Sequence, residues 1–326
     1  MALQGGGAHG AFTWGVLDRL LEEEGLALDT VSAASAGAVN AVAMLDGLAD
    51  GGRETARAKL EAVWQAISKA GFPDVARLNP FLAGLARVPA LVSPYTFNPL
   101  DINPLRSILA REIDFERLRA RPPARLIISA TDVATGKARL FRETEVTVDV
   151  VLASACLPSL YRAVEIEGRS YWDGGFSANP ELISLILGSQ AAETLLILLN
   201  PLEATEVPKR ARDIADGVSR ITFNQPVLRD LAEIESRRRA VGTGWRRWLA
   251  QPEERRLAAH ALHTLSAAAH TSEMGPETKL QPGWELLSHL RSAGRAEAQS
   301  WLTGGTAAPT TNGLARWRTN ENSRVA

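Results

Sequence analysis

The chain has 326 residues, and its 36 Lys and Arg nearly balance 37 Asp and Glu, for a net charge of -1. That balance argues against nucleic acid as a partner, while 45% apolar residues are ample for one large α/β domain with an appendage. The single cysteine, Cys156, excludes an intramolecular disulfide and fits a reducing, cytoplasmic setting, and no run approaches the ~18 apolar residues of a membrane span.

The N-terminus passes from Met1 almost directly into a glycine-rich turn, a start with no signal peptide that leaves three residues for a first strand. The turn, Gly5-Gly6-Gly7-Ala8-His9-Gly10, lets backbone amides face outward and is followed by an amphipathic helix over 11–24, stopped by Gly25. Free N–H groups at such a place suit an anion, either a phosphate or an oxyanion. The spacing Gly5-x-Gly7-x-x-Gly10 also matches a dinucleotide fingerprint, with Asp29 near the expected distance. That reading is ranked lower, because its acid should follow the second strand, whereas Asp29 precedes it. The Gly-Lys-Ser/Thr of a nucleotide-hydrolysing loop is absent.

Residues 30–34 read as a short strand and 36–46 as a helix ending near Gly47, so Ser35 falls on a strand-to-helix turn. Such a turn exposes the hydroxyl and aims the helix N-terminus at it, and the small neighbours Ala33, Ala34, Ala36, Gly37 and Ala38 leave room for a strained backbone. Taken alone, the same residues also suit a serine N-cap. A helix follows over 56–70. The proline-rich segment 72–104, with Phe81, Tyr95 and Phe97, is a poor helix; it reads equally as a cover over an acyl groove or as a packed loop.

Further on, strands are expected over 125–133 and 137–142, joined at Thr135-Gly136, then a helix over 146–155 and a hairpin of 163–166 with 170–172. Asp173-Gly174-Gly175 closes that hairpin. Asp-Gly is a common structural turn, but here it lies between Ser154-Ala-Cys-Leu-Pro and Asn179-Pro180 in an apolar stretch. The glycine turn, Ser35 and Asp173 together read as a serine hydrolase that works with an aspartate. A helix over 180–187, a strand over 194–199 and a long helix over 211–241 complete the α/β pattern.

These motifs resemble the patatin-like phospholipases, in particular their bacterial branch. The resemblance runs from Leu3 to about Pro201 and is carried by the glycine loop, the serine turn, Ser129-Ala-Thr-Asp-Val-Ala-Thr-Gly, Leu152-Ala-Ser-Ala-Cys-Leu-Pro and Tyr171-Trp-Asp-Gly-Gly. It implies a three-layer α/β/α sandwich with a mostly parallel central sheet and a catalytic core over 1–205; beyond it, where the resemblance weakens, the residues read as a helical region over 206–303 packing on the core and, from its Gly, Thr, Ala and Asn content, a disordered tail over 304–326. It also implies a Ser–Asp dyad acting on lipid carboxyl esters, with Ser35 as nucleophile, Asp173 as general base, and Gly6, Gly7 and Ala36 amides as oxyanion hole. Gly5, Gly10, Ala33, Gly37, Gly174 and Gly175 complete the motifs. An esterase, thioesterase or polyester depolymerase of the same chemistry, and a lipid-binding protein without turnover, are the alternatives.

Two positions depart from the pattern: Ala33 stands where the family usually has glycine, crowding the elbow by one methyl, and His9 stands where arginine or lysine is frequent, making any preference for anionic head groups pH-dependent or absent. His260, His263, His270 and His289 lie in a segment read as helical, where packing is the commoner role, and no metal-ligand spacing or cofactor motif is present. Arg237-Arg238-Arg239, Trp245, Arg246-Arg247 and Trp248 suit either peripheral contact with an anionic membrane or a solvated helix packed on the core, the latter preferred.

Overall fold

The computed structural model describes residues 1–71, 93–204, 206–242, 250–272 and 274–304. Most of the expected cover segment (72–92), Trp245 to Trp248 and the tail from 305 lie outside these residues.

Among the described residues, eight strands form one mixed sheet: β1 (Ala2–Leu3), β2 (Thr30–Ala33), β3 (Arg125–Asp132), β4 (Ala138–Arg142), β5 (Val164–Ile166), β6 (Arg169–Asp173), β7 (Glu193–Leu198) and β8 (Ala261–Ser266). Their order is β5-β6-β3-β2-β1-β7-β8, with β4 also pairing β3. The stretch β3-β2-β1-β7-β8 is parallel, and β4, β5 and β6 add antiparallel pairs. The longer helices are α1 (Gly10–Leu20), α2 (Ala36–Gly51), α3 (Arg53–Ala70), α4 (Pro104–Glu112), α5 (Phe115–Ala120), α6 (Val148–Ser154), α7 (Ile183–Gly188), α8 (Ala211–Val241), α9 (Pro252–Ala259) and α10 (Trp284–Thr303).

The central strands are apolar on both faces because helices cover both. Period-two alternation divides their side chains between two cores: Leu126, Ile128 and Ile197 join Phe12, Trp14, Val42 and Leu290, whereas Ile127, Leu196 and Leu198 join Leu182, Ile186, Val227 and Leu262. This is the expected α/β/α layering, and the C-terminal region is largely helical.

The differences from expectation have local causes. Helix α1 stops at Leu20, where Glu22, Glu23 and Glu24 meet the negative end of its dipole. Helix α2 runs through Gly47 to Gly51; a Cβ on Gly47 would fall 2.3 Å from the Ala56 Cα, so this glycine admits α3 rather than ending a helix. Strand β8 departs from the helical reading of this segment: His263 lies on it and His260 just before it. Pairing with β7, from Glu193 opposite Ala261 to Leu198 opposite Ser266, decides its conformation.

Candidate active site

The parallel strands end at one edge of the sheet, and the sequence motifs meet there. The glycine loop leaves β1, Ser35 leaves β2, and Asn200 follows β7. On β3, Ile128 lies opposite Ala33 and, two residues on, Ala130 lies opposite Asp173. Strand β6 thus takes over from β2 along β3 and delivers Asp173 beside the serine turn.

Ser35 has φ 52° and ψ −122°, a left-handed backbone that a side chain adopts only under strain. Its surroundings enforce that geometry. A Cβ on Gly5 would fall 2.7 Å from the Ser35 Cβ, and one on Gly37 would fall 2.3 Å from the Leu3 carbonyl oxygen. Gly10 is equally close to Ala36, at 2.7 Å. The Ser35 N–H donates to Ser154 Oγ at 2.8 Å, so this amide is committed to holding the turn. Gly5 N–H donates to Asn179 Oδ1 at 2.8 Å, which fixes the start of the glycine loop.

Ser35 Oγ donates to Asp173 Oδ2 at 2.7 Å. The other carboxylate oxygen, Oδ1, accepts from Gly175 N–H at 2.7 Å, and Thr131 Oγ1 donates to the Asp173 carbonyl at 2.7 Å. Gly174 must lack a side chain, since a Cβ there would meet the Ser129 carbonyl at 2.1 Å. Burial drives the Asp173 carboxyl up to about 7, against the two hydrogen bonds that favour its ionised form. No cation contacts it among the described residues. A carboxyl balanced near neutrality beside a hydroxyl is suited to accept that hydroxyl's proton.

The N–H groups of Gly6, Gly7 and Ala36 have no protein acceptor among the described residues. They lie at a 3₁₀ turn (Gly7–His9) and at the N-terminus of α2, and all three residues line the same cavity as Ser35 and Asp173. This cavity holds about 420 Å³ and is walled mainly by apolar side chains, among them Trp64, Ile67, Leu105, Ile108, Tyr161 and Phe223.

The remaining candidates are elsewhere. Ala33 is 1% exposed and its methyl is part of the hydrophobic core. His9 is buried, its Nε2 lies 2.8 Å from Thr278 Oγ1, and burial with the nearby Lys279 charge lowers it to about 4, so it is neutral at physiological pH and does not line the cavity. The pH-dependent head-group contact considered for it is therefore replaced by packing. His260 bonds Thr194 and His263 bonds Glu193, at 2.9 and 2.8 Å, and His270 and His289 pack ring against ring. None touches Ser35. Asp29 accepts hydrogen bonds from Ser189, Gln190 and Thr30 at the start of β2, the end opposite the glycine loop, where no ribose of a loop-bound dinucleotide could reach it. Cys156 is buried with its thiol against the Arg162 carbonyl, and burial pushes it up to about 12. Arg237 pairs with Glu233 and Glu254, and Arg239 with Glu235, as in a packed helix.

In the sequence Ser154 belongs to the Leu152–Pro158 motif and Asn179 follows Asp173-Gly174-Gly175, but neither carries a legible role there, and nothing points to Asn200 or Lys279. The first two accept hydrogen bonds from the backbone of the serine turn and the glycine loop; a small polar residue beside an apolar run was their only signal. Lys279 reaches the cavity from the C-terminal region, and no spacing in the sequence indicates that.

Among the described residues no helix is long and apolar enough to cross a membrane, and no cluster of metal-ligating side chains occurs. The chain is similar in structure to VipD from Legionella pneumophila, with a TM-score of 0.38 and 14% identity over 90% of this chain, but it spans only 66% of that protein. No curated protein matches the sequence. The patatin-like phospholipase family model matches residues 1–186, which hold the glycine loop, Ser35 and Asp173, and the chain belongs to that family.

Proposed function

We propose that the protein is a serine acyl hydrolase of lipid carboxyl esters working through the Ser35–Asp173 dyad. The observation that carries this reading is the 2.7 Å contact between Ser35 Oγ and a buried carboxylate on the wall of an apolar cavity. The ester's acyl chain lies along Trp64, Ile67, Leu105 and Ile108. The Asp173 carboxylate accepts the Ser35 proton as Oγ bonds to the ester carbon, and the carbonyl electron pair moves onto oxygen, facing the N–H groups of Gly6, Gly7 and Ala36. Collapse of this intermediate breaks the ester C–O bond; the departing alcohol takes the proton from Asp173. Water repeats the sequence on the acyl-serine and releases the fatty acid.

Exposed apolar side chains beside the cavity support substrate arriving from a lipid surface. Leu100 and Ile102 lie just before the lining residues Pro104 and Leu105, and Ile214, Val218 and Ile221 form a helical stripe next to the lining residues Ser219 and Phe223.

A fluorophosphonate probe tests the chemistry. Labelling at Ser35, abolished in Ser35→Ala, together with faster turnover of long-chain than short-chain esters is expected. Labelling with a short-chain preference would instead indicate an esterase, and absence of labelling with retained lipid binding would indicate a protein without turnover.

A further inference from the structure

The cavity's charged lining residues, among those described, are Asp173, Glu277 and Lys279. Asp173 is engaged with Ser35. Glu277 folds back on its own turn, its carboxylate lying 2.3 Å from where a Cβ on Gly275 would stand. Lys279 is thus the cation of this wall, and its placement is tied to the loop that faces the reacting carbonyl. It lies in a 3₁₀ turn (Pro276–Leu280) packed on the turn Gly7–His9. Gly7 has φ +58°, and a Cβ there would fall 2.4 Å from the Lys279 carbonyl oxygen, so the two backbones touch. Thr278, one residue earlier, bonds His9.

The Lys279 ammonium donates to Asn200 Oδ1. Asn200 is itself held by the start of the chain: its N–H donates to Gln4 Oε1 at 3.0 Å and its side-chain amide to the Gly5 carbonyl at 3.4 Å. The ammonium is therefore fixed to the glycine-loop scaffold through a neutral amide, which uses one of its three donors and neutralises none of its charge. Around it stand Glu277 on its own turn, and neutral His9, Glu206, and Asp213, Asp216 and Arg220 of α8, which share a second cavity with Lys279. Burial lowers Lys279 to about 8 while Asp216 opposes that, so it remains mostly charged at neutral pH.

We infer that Lys279 is a specificity-determining residue that binds the phosphate of a glycerophospholipid on the leaving-alcohol side of the scissile ester. The inference rests on the hydrolase reading and names the residue that selects the headgroup. The apolar lining from α3 and α4 takes the acyl chain, and Lys279 and Asn200, on the β7 side of the glycine loop, take the phosphate. An ammonium is a compact point charge suited to a phosphate oxygen, and a hydrogen bond to a charged group contributes roughly 10–150-fold in affinity.

The test compares phosphatidylglycerol with diacylglycerol of the same acyl chains, both in mixed micelles of a non-ionic detergent. Lys279→Met keeps the aliphatic stem and should lower the ratio of kcat/KM for phosphatidylglycerol over diacylglycerol at least tenfold; Lys279→Arg should restore most of it. In wild type the ratio should fall as pH rises from 7 to 9.5, while Lys279→Arg holds it and Lys279→Met shows a low, flat profile. Equal losses on both substrates in Lys279→Met would mark a merely structural lysine and overturn the inference, as would no change on either. A second measurement does not need turnover: dodecyl phosphate and the neutral dodecyl glycerol ether are titrated by tryptophan fluorescence. Lys279-dependent binding of dodecyl phosphate in a protein that ignores fluorophosphonate would retain the phosphate site and sink the hydrolase reading. Phosphonate labelling with Lys279-independent binding would do the reverse. Inorganic phosphate that competes as strongly as dodecyl phosphate would identify a free-phosphate site and overturn the lipid assignment.

Discussion

Two aspartates, each 1% exposed, sit in opposite electrostatic settings. Asp18 on α1 is bonded by Arg57, Arg291 and Arg295, which fasten α3 and α10 to α1. Burial alone would raise its carboxyl, but the three guanidiniums reverse that and hold it below the ordinary carboxylate range. Asp173 receives only a hydroxyl and a backbone N–H, and burial carries it up to about 7. Burial is common to both; the charge of the donors decides whether a carboxylate fastens helices or stays near neutrality, as the base proposed for Asp173 requires. The Asp18 seam is a packing device throughout: a Cβ on Gly15 would fall 2.0 Å from the Arg291 carbonyl oxygen, and one on Gly294 would fall 2.1 Å from that of Phe12.

Removing each charge should separate the two sites most sharply at Asp173. Ser35→Ala and Asp173→Asn are each expected to lower turnover of chromogenic esters by ~10⁴-fold or more, with the thermal midpoint unchanged or, for Asp173→Asn, raised. Substituting His260, His263, His270 or His289 should leave hydrolysis intact. Full loss on one such change, in a folded protein, would replace the dyad with a triad.

Gly6→Ala should slow acylation by a fluorophosphonate by ~10²–10³, the cost of one lost or misdirected oxyanion donor. Its added methyl would meet chiefly the Leu199 side chain, 2.9 Å away, which can move. An unaltered acylation rate in this variant would exclude the Gly6 amide from the oxyanion hole. Gly7→Ala should cost more, because it combines a left-handed backbone with the Lys279 carbonyl in the same space.

At the other aspartate the expectation reverses. Asp18→Asn strands three guanidiniums and should lower unfolding stability by about 3 kcal/mol, a figure near the low end for breaking a buried pair because the arginines remain partly exposed. Turnover of the folded fraction should change by less than twofold. If activity disappeared while urea unfolding stayed put, the contrast between a packing and a working carboxylate would be wrong.

The two carboxylates also give opposite pH slopes. Asp173 has a folded value of about 7, above the ~4 of an unfolded chain, so the native state keeps a proton that the unfolded state has lost. Its contribution to stability therefore falls as pH rises from ~4 to ~7, and Asp173→Asn should lack that fall. Asp18, held low, contributes above ~4 and loses that contribution as pH drops through its folded value. Urea midpoints at pH 3, 5 and 8 in wild type and both asparagine variants would read the two slopes, while wild-type turnover should rise through pH ~7 as Asp173 ionises.

The smallest effect is expected at Ala33. Ala33→Gly removes a core methyl and adds backbone freedom, costing about 1 kcal/mol, and activity should change less than tenfold. An inert wild type revived by glycine would mean that the methyl blocks the elbow after all.

The glycine loop, the serine turn and Asp173-Gly174-Gly175 are legible in the sequence because each depends on local sterics: only small residues and glycines permit a strained serine and amides turned outward. The strand and helix alternation from β2 to β7 is legible for a similar reason, since parallel strands covered on both faces must be apolar throughout. Other features are long-range. Strand β8 exists because β7 offers an edge to Ala261–Ser266. Asp173 is uncompensated, as the proposed base requires, because the register of β3 sets it against Ser35, 138 residues away, with no cation in contact among the described residues. Asp18 becomes a fastener because α10 brings Arg291 and Arg295 to it from more than 270 positions along the chain. Lys279 enters the cavity because Gly7 leaves room for its backbone. Sequence spacing reports contacts within a turn or two, whereas electrostatic environment is the sum over neighbours that only the folded chain assembles.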